Sequence, residues 1–359
     1  RGGHTLSPLA RDMDLLCGDD WVVGERLAGG SFGDVHLGRN TSTGQLGAVK
    51  LEKAGGGASW LQEVKMYRCV SPHPGVPAML WQGTATDGRR AIVLELMGPS
   101  LEDLFHELDN KLTVPTLAAV AIALISRVEW LHSRGVVHRD IKPQNFLCGR
   151  IGFGTGGRPH VRFSSILDDL YVVDFGLAKA FNTRAGHIQF KRHQGRAGTA
   201  RYASINTHKG HVQSRRDDLE AIGYMLVFLA KGRLPWQGVK ASSRGRKHAR
   251  ICAMKMATAL PDLCAGMPRA FMDFIKYSRA LKFAERPDYD HCRDLFAAVL
   301  DEHPCAAPDW LALDPESFGV VSALKAWGAR GAGPVTGGAS AEDAVARTAS
   351  AEDGAPAAG

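Results

Sequence analysis

The sequence of 359 residues predicts an α+β fold with two lobes, a β-rich N-terminal lobe that carries one helix and a mainly helical C-terminal lobe. From Trp21 to Met97, short apolar runs alternate with glycine-containing turns, which is typical of strands; Leu46–Leu51 and Ala91–Leu96 are examples. A helical pattern interrupts this part around Ser59–Val70. From Leu101 onward, apolar residues recur at helical spacing. We therefore expect two lobes with a cleft between them.

Two long helices support the prediction for the C-terminal lobe. The first should begin after Thr113, a suitable N-cap residue, and end before Gly135, which suits a C-terminal cap. The second should run from Leu219 to Leu229 and end near Gly232. The apolar positions that define the first helix are Leu117, Val120, Leu124, Val128 and Leu131.

The chain divides into four predicted segments, namely a flexible leader at 1–18, an N-terminal lobe at 19–98, a C-terminal lobe at 99–315 and a largely disordered, low-complexity tail at 316–359. The last part of the tail is almost all Ala, Gly, Ser and Pro, which cannot bury enough apolar surface to offset the loss of chain entropy. Within the C-terminal lobe, residues 151–169 form a long insertion, which either has a regulatory or docking role or has none.

Composition narrows the classes of protein. The longest stretch without charged residues, Cys69–Thr86, contains three prolines, and Leu112–Ser126 is too short to cross a membrane, so we predict no membrane span and a core helix at the latter. Seven dispersed cysteines without a CxxC motif predict reduced thiols in the cytoplasm or the nucleus. The net charge of +7 favours anionic partners. Because the first residue is Arg1, we expect a fragment or a processed chain.

A glycine-rich turn lies early in the N-terminal lobe. The segment from Leu27 to Val35 reads L-A-G-G-S-F-G-D-V, in which Gly30 and Gly33 would let the backbone approach nucleotide phosphates. Ala28 stands where the first glycine of this pattern usually lies. A lone glycine-rich turn is more often an ordinary turn, so its meaning depends on the motifs that follow.

The next apolar run ends at Lys50, and Glu63 follows on the predicted helix. A carboxylate on a buried helix face is costly unless it is paired. We therefore predict an ion pair between Lys50 and Glu63 that would hold the α- and β-phosphates of a nucleotide. The alternative is two unrelated surface charges.

The most specific motif is the segment from Val137 to Asn145, which reads V-H-R-D-I-K-P-Q-N and is followed by D-F-G at 174–176. This order is typical of phosphoryl transfer from ATP. Asp140 would accept the proton of the substrate hydroxyl or orient that hydroxyl, and Lys142 would neutralise the γ-phosphate. Asn145 and Asp174 would bind Mg²⁺, so ATP and Mg²⁺ are the expected cofactors. The phenylalanine of the triplet should pack in the core.

Further segments resemble the casein kinase 1 family of serine/threonine protein kinases. Residues 98–105 read G-P-S-L-E-D-L-F, and residues 198–208 read G-T-A-R-Y-A-S-I-N-T-H, with S-I-N where most protein kinases have A-P-E. Segments 213–220, 234–238 and 286–289 also match, and the resemblance covers residues 19–313. It implies the bilobal protein-kinase fold and transfer of the ATP γ-phosphoryl group to Ser or Thr of acidic or phospho-primed protein substrates.

The resemblance also implies roles for individual residues. Asp218 would anchor the catalytic loop from within the core. Arg201, Gly238 and Lys247 would form a pocket for a phosphate already present on the substrate, a role that suits a guanidinium fork and a lysine. The adenine site would be formed by Leu27, Val35 and Ala48, with Leu94 as gatekeeper and Glu95 and Met97 in the hinge.

The anion pocket has alternatives. Arg201 could instead form a structural ion pair. The basic residues 244–247 could instead form a nuclear-import patch or a solvated face. Gln144 stands where the family usually has Asp, with little loss expected, and Gln194 replaces a basic residue in a segment where Lys191, Arg192 and Arg196 add positive charge.

The activation segment at 174–206 has no obvious switch that requires phosphate, so the resemblance implies a constitutively competent kinase that its tail restrains. A tail phosphorylated at Ser340, Thr348 or Ser350 could compete with substrate for the anion pocket. Removal of the residues after Arg330 is then expected to raise kcat/KM for protein substrates, and unchanged kinetics would contradict this.

Three alternatives to this function were weighed. A pseudokinase scaffold would be favoured by loss of any of four groups, Lys50, Asp140, Asn145 and Asp174, and all four are present. A nucleic-acid-binding protein rests on positive charge alone, without an aromatic or helix-turn-helix signature, so nucleic acid is not an expected partner. The related vaccinia-like and tubulin kinases fit the S-I-N and L-P-W-Q-G segments less well.

Overall fold

The computed structural model describes residues 15–29, 33–53, 57–183, 186–193, 195–305 and 307–329, with only the backbone at 57–59. These residues form the two predicted lobes. The N-terminal lobe is a six-stranded antiparallel sheet with one helix, α1 (Gly57–Val70). Its strands are β1 (Leu16–Cys17), β2 (Trp21–Gly29), β3 (Gly33–Asn40), β4 (Leu46–Glu52), β5 (Met79–Thr84) and β6 (Arg90–Glu95).

The sheet order is β1-β2-β3-β4-β6-β5, and its register positions the residues predicted to bind nucleotide. Val35 on β3 lies opposite Lys50 on β4, and Ala48 on β4 lies opposite Leu94 on β6. Strand side chains alternate between the two faces of a sheet. Ala48 and Lys50, which are two residues apart, therefore share one face.

The C-terminal lobe contains most of the helices. Short strand pairs carry the catalytic loops between them, namely β7 (Val136–Val137), β8 (Phe146–Cys148), β9 (Arg150–Phe153), β10 (Pro159–Arg162), β11 (Leu170–Val172), β12 (Lys179–Ala180), β13 (Asn182–Thr183) and β14 (Gly186–His187). The helices are α2 (Leu101–Glu107), α3 (Val114–Ser133), α4 (Ile205–His208), α5 (Arg215–Lys231), α6 (Arg244–Ala257), α7 (Leu260–Leu263), α8 (Arg269–Ala280), α9 (Tyr289–Glu302) and α10 (Gly319–Ala329).

Helix α3 is the centre of the C-terminal lobe. Within the described residues it alone is long and apolar enough to cross a membrane by length and composition, but most of it is buried inside the fold. It packs against α5 and α9, which confirms the predicted core helix. Thr113 is its N-cap residue, yet the Thr113 hydroxyl donates to Asp309 Oδ1 at 2.7 Å instead of capping the helix. The segment that follows α9 is thereby tied to the start of α3.

Both predicted terminal segments differ from the structure. Leu16 and Cys17 belong to the sheet, because they pair with Val22 and Trp21 across a tight turn. Residues 319–329, predicted to lie in the tail, form α10, because Val321, Leu324 and Trp327 give that helix a buried apolar face. The tail prediction rested on composition and overlooked this periodicity.

The predicted insertion at 151–169 is a hairpin. Strands β9 and β10 pair antiparallel, with Phe153 opposite Pro159 and Arg150 opposite Arg162. The Val161 amide donates to the Pro315 carbonyl at 3.0 Å, so the hairpin also supports the segment before α10. The insertion therefore has a structural partner within the chain.

All seven cysteines are free, as the sequence predicts. Several residues named above lie outside the described part of the chain: Gly30, Gln194, Ser340, Thr348 and Ser350. The predictions that rest on them stay predictions.

Replacement of Phe296 by Ala tests how the last large helix is held. The Phe296 ring is fully buried and meets the rings of Phe271 and Phe274 edge-on at centroid distances of 5.1 and 5.4 Å. We expect a loss of about 3–5 kcal/mol in the free energy of unfolding, measured by urea denaturation. Leu311→Ala, at a half-exposed position, is the control and should cost far less. Equal losses in the two variants would contradict this packing.

Candidate active site

A cleft of about 1050 Å³ separates the lobes, and it contains the residues predicted to bind adenine. Its upper wall comes from β2, β3 and β4, and its back comes from β6 and the following chain. All six predicted adenine-site residues line it, namely Leu27, Val35, Ala48, Leu94, Glu95 and Met97. The apolar upper wall and the extended segment behind it suit a flat aromatic base.

The lobes meet at the ammonium group of Lys50. Lys50 Nζ donates to the two carboxylate oxygens of Glu63 on α1 at 2.7 and 2.8 Å, which confirms the predicted ion pair and excludes two unrelated surface charges. The same nitrogen donates to Asp174 Oδ1 at 2.8 Å. Strand β4, helix α1 and the loop after β11 are thus joined at one point.

Burial and neighbouring charges shift the pKa values of Lys50, Glu63 and Asp174. Burial alone would lower the pKa of Lys50, but the carboxylates of Glu63 and Asp174 outweigh it and raise that pKa. Burial raises the pKa of Glu63, which is 3% exposed. Burial also acts to raise the pKa of Asp174, yet the charges of Lys50 and Lys142 bring it below its usual value. At neutral pH, Asp174 is therefore an ionised carboxylate facing the cleft.

The D-F-G triplet has a special backbone and a buried ring. Asp174 has φ 64° and ψ 72°, a left-handed conformation that is rare for a residue with a side chain and that concentrates at functional sites. The Phe175 ring is fully buried and meets the Tyr67 ring edge-on at 4.7 Å. Phe175 therefore packs beneath α1, as predicted, and fixes the position of Asp174.

The catalytic loop surrounds Asp140 with donors. Lys142 Nζ lies 2.8 Å from Asp140 Oδ2, and both the amide and the hydroxyl of Thr199 donate to Asp140 Oδ1, at 2.7 and 2.8 Å. Asn145 Nδ2 donates to the Asp140 carbonyl at 2.9 Å. The predicted catalytic residues Asp140, Lys142 and Asn145 are therefore in mutual contact.

Gly198 makes the contact between Thr199 and Asp140 feasible. Its φ is +93°, and a Cβ there would lie 2.3 Å from the Arg139 carbonyl oxygen. Only glycine tolerates this conformation and this close approach. The activation segment can therefore lie directly against the catalytic loop.

Asp218 anchors the catalytic loop from below, as predicted. It accepts the amides of His138 and Arg139 at 2.8 and 2.9 Å, and it lies 3.0 Å from His132 Nε2. Burial acts to raise the pKa of Asp218, but the hydrogen bond and charge of His132 and the loop amide keep it below its usual value. A buried ionised carboxylate thus holds the loop at two backbone positions.

The glycine-rich turn is described in part. A Cβ at Gly33 would lie 2.3 Å from the Leu51 carbonyl oxygen, so the sheet itself requires glycine there. Ala28 and Gly29 end β2 and line the cleft, while Gly30 lies outside the described residues. The described ends of the turn, Gly29 and Gly33, therefore line the cleft, where a phosphate cover is expected.

The residues predicted to bind magnesium fit a hard cation. Asp174 offers an ionised carboxylate, and Asn145 uses its amide nitrogen on Asp140, which leaves its amide oxygen for a ligand. Both residues line the same cleft. Oxygen donors of this kind are the ligands that Mg²⁺ prefers in proteins.

Arg201 of the predicted anion pocket contacts aromatic side chains and the turn that contains Gly238. The Trp236 indole donates to the Arg201 carbonyl at 2.7 Å, which brings the turn that contains Gly238 beside it. The Arg201 guanidinium lies 5.0 Å from the Phe228 ring centroid and donates to the Tyr202 hydroxyl at 3.3 Å. It pairs with no carboxylate among the described residues, so the structural ion pair is not seen.

Lys247 is separate from that contact network. It is exposed in the first turn of α6, one turn after the Ser243 N-cap, and no described contact joins it to Arg201. The structure therefore ties the turn that contains Gly238 to the Arg201 backbone through Trp236, while Lys247 lies exposed on the neighbouring helix.

Lys255 was not singled out from the sequence, although it supports the loop that carries Arg201. It is fully buried, and its ammonium donates to the carbonyls of Ala200 and Ala203. Burial lowers its pKa to about 7. No motif marks a lysine that acts through backbone carbonyls, so only the fold could reveal it.

Two other contacts were not predicted. The sequence motifs assign no role to Thr199, which lies in the activation segment, yet its hydroxyl and amide donate to Asp140. Gln144, which stands where the resembled family has Asp, donates through Nε2 to Glu102 on α2. A carboxylate at that position would face Glu102, so the amide suits this neighbour.

Comparison with known families agrees with this geometry. The family model of the protein kinase domain matches residues 21–300. The chain belongs to the protein kinase family, and both the bilobal fold and the cleft residues agree with that assignment.

Asp140→Asn tests the catalytic loop. The amide retains the shape but cannot accept a proton, so we expect kcat to fall about 10²- to 10⁴-fold with ATP affinity unchanged. Steady-state kinetics and calorimetric ATP titration would measure the two effects.

Two variants of the neighbouring threonine serve as the matched pair. Thr199→Ser keeps the hydroxyl and should retain most activity, while Thr199→Ala removes one donor to Asp140 and should lower kcat. An Asp140→Asn enzyme with wild-type kcat would overturn the assigned role.

Proposed function

We propose that the chain is an active serine/threonine protein kinase of the casein kinase 1 type. The single observation that carries the proposal is the convergence of Lys50, Asn145 and Asp174 on one cleft, with Asp140 in contact with Asn145 beside it. A pseudokinase scaffold would have no need to keep all four groups. The expected cofactors are ATP and Mg²⁺, which protein kinases generally use.

The reaction follows from the positions of these groups. Lys50 would hold the α- and β-phosphates, and its place against Glu63 keeps the ammonium aimed into the cleft. Asp140 would orient the substrate hydroxyl and take its proton as the new P–O bond forms and the bond to ADP breaks. Lys142, 2.8 Å from Asp140, would balance the charge on the transferred phosphoryl group. Asn145 and Asp174 would hold Mg²⁺, which would neutralise charge on the nucleotide phosphates.

The substrate class rests on Arg201. A guanidinium that lies against aromatic rings and has no carboxylate partner among the described residues suits a dianionic phosphate, and Lys247 adds positive charge on α6. We propose acidic or phospho-primed protein substrates on this basis, together with the S-I-N segment at 204–206. The free cysteines support a proposed location in the cytoplasm or the nucleus.

A peptide assay tests both parts of the proposal. Labelled ATP and magnesium are incubated with three peptides, a serine acceptor with a phosphoserine three residues upstream, the same peptide unprimed, and a tyrosine acceptor. We expect transfer to serine, with the primed peptide strongly favoured and the tyrosine peptide inert. No transfer to any hydroxyl would refute the enzymatic proposal.

Two variants test whether Arg201 and Lys247 cause the preference for the primed peptide. Arg201→Gln and Lys247→Ala should each lower kcat/KM for the primed peptide about tenfold, since a charge-assisted hydrogen bond is worth roughly 1.5–3 kcal/mol, and leave the unprimed peptide nearly unchanged. Arg269→Ala, which removes an exposed arginine of α8, is the matched control. Equal losses on both peptides would mean that these residues do not read the priming phosphate.

A further inference from the structure

Helix α10 lies beyond the residues that the family model matches, which end at 300, yet it packs on the N-terminal lobe. Its buried residues Val321, Leu324 and Trp327 recur at helical spacing and face inward. The segment leads from the C-terminal lobe to the sheet, so it crosses between the lobes outside the hinge.

Residues of the C-terminal lobe contact the segment that leads into α10. The Val161 amide donates to the Pro315 carbonyl at 3.0 Å. The Phe163 ring meets the buried Phe318 ring edge-on at 6.2 Å and the Trp310 ring at 6.4 Å. The insertion hairpin thus fixes the point where α10 begins.

The C-terminal end of α10 packs on the sheet of the N-terminal lobe. The Trp327 ring lies directly on Gly24 of β2, where a Cβ would lie only 2.6 Å from Trp327 Cε2. The Arg39 guanidinium of β3 lies 6.0 Å from the Trp327 ring centroid. Strand β2 precedes the glycine-rich turn in the chain. Trp327 therefore packs α10 against the strand that leads into the segment expected to cover the phosphates.

The middle of the crossing forms part of the nucleotide cleft. Phe318 and Val320 line the cleft together with the adenine-site residues. Val320 also packs in one apolar cluster with Leu27 and Ala48, the two residues predicted to cover the base. The outer end of the adenine wall is therefore supplied by a segment outside the matched domain.

We propose that α10 and the residue before it are part of the nucleotide site: Phe318 and Val320 complete the adenine wall, and Trp327 is a positioning residue that holds strand β2 against the cleft. This inference rests on the proposed function, because it requires ATP in the cleft. Undocking the helix removes part of the wall and one tie between the lobes. Nucleotide affinity falls as a result, while the catalytic loop, whose backbone Asp218 holds, keeps its geometry.

Calorimetric titration of the full chain with ATP and magnesium tests this inference. Trp327→Ala should weaken ATP binding about tenfold, within the range usual for coupled sites, and raise KM for ATP more than it lowers kcat. Trp327→Phe should recover most of the affinity. Ser322→Ala, on the exposed face of the same helix, is the matched control and should bind as wild type does.

A second variant covers the case in which Trp327→Ala does not fold. Val320→Ala trims only the cleft-lining side chain and should weaken ATP binding without a comparable loss of thermal stability. If Trp327→Ala lowers the melting temperature but binds ATP as wild type does, or if Val320→Ala leaves affinity unchanged, the helix is merely structural and the inference fails. If wild type itself binds no ATP, the proposed function fails, and the inference fails with it.

Discussion

The ammonium group of Lys50 binds two carboxylates from opposite lobes, Glu63 of α1 and Asp174 of the D-F-G triplet. A buried carboxylate without a partner is strongly destabilising, so each acid needs this lysine, and the lysine needs both acids to remain charged at its depth. Strand, helix and loop must therefore approach together. The position of Asp174, and with it the edge of the cleft proposed to bind magnesium, depends on that approach.

A second buried charge has the same effect in the C-terminal lobe. Asp218 holds the backbone of His138 and Arg139, so the loop that carries Asp140 is fixed by its main chain rather than by its catalytic side chains. The acidic group of Asp140 is then left for Thr199 and Lys142, and for a substrate hydroxyl. Because Asp218 holds the backbone of the loop, the Asp140 carboxylate can stay in position without using its own hydrogen bonds to support the loop.

The two lobes are joined in more than one place. The hinge runs from Glu95, whose side chain accepts from Arg150 at 2.8 Å, and that arginine also donates to the Tyr171 hydroxyl at 2.7 Å. Helix α10 crosses farther out, from the insertion hairpin to β2. Arg150 begins that hairpin, so the hinge, the insertion and the C-terminal helix form one continuous support behind the adenine site.

The sequence by itself determined the lobes, the core helix α3 and the groups proposed to carry phosphoryl transfer, because these depend on local periodicity and on short motifs whose residues are close in the chain. It also paired Lys50 with Glu63, since burial of a charge demands a partner. The tertiary structure alone decided the contacts between distant segments. Thr199 meets Asp140 and Trp327 meets Gly24 across long stretches of chain, and neither contact leaves a local pattern.

The same distinction explains the differences between prediction and structure. Composition marked residues 316–359 as a tail. The apolar face of α10 contributes to stability only because it packs on Gly24 and neighbouring residues of the sheet. The insertion at 151–169 had no predicted partner, because its partner lies at Pro315 and Phe318. Burial energy is a property of two surfaces, and one segment of sequence describes only one of them.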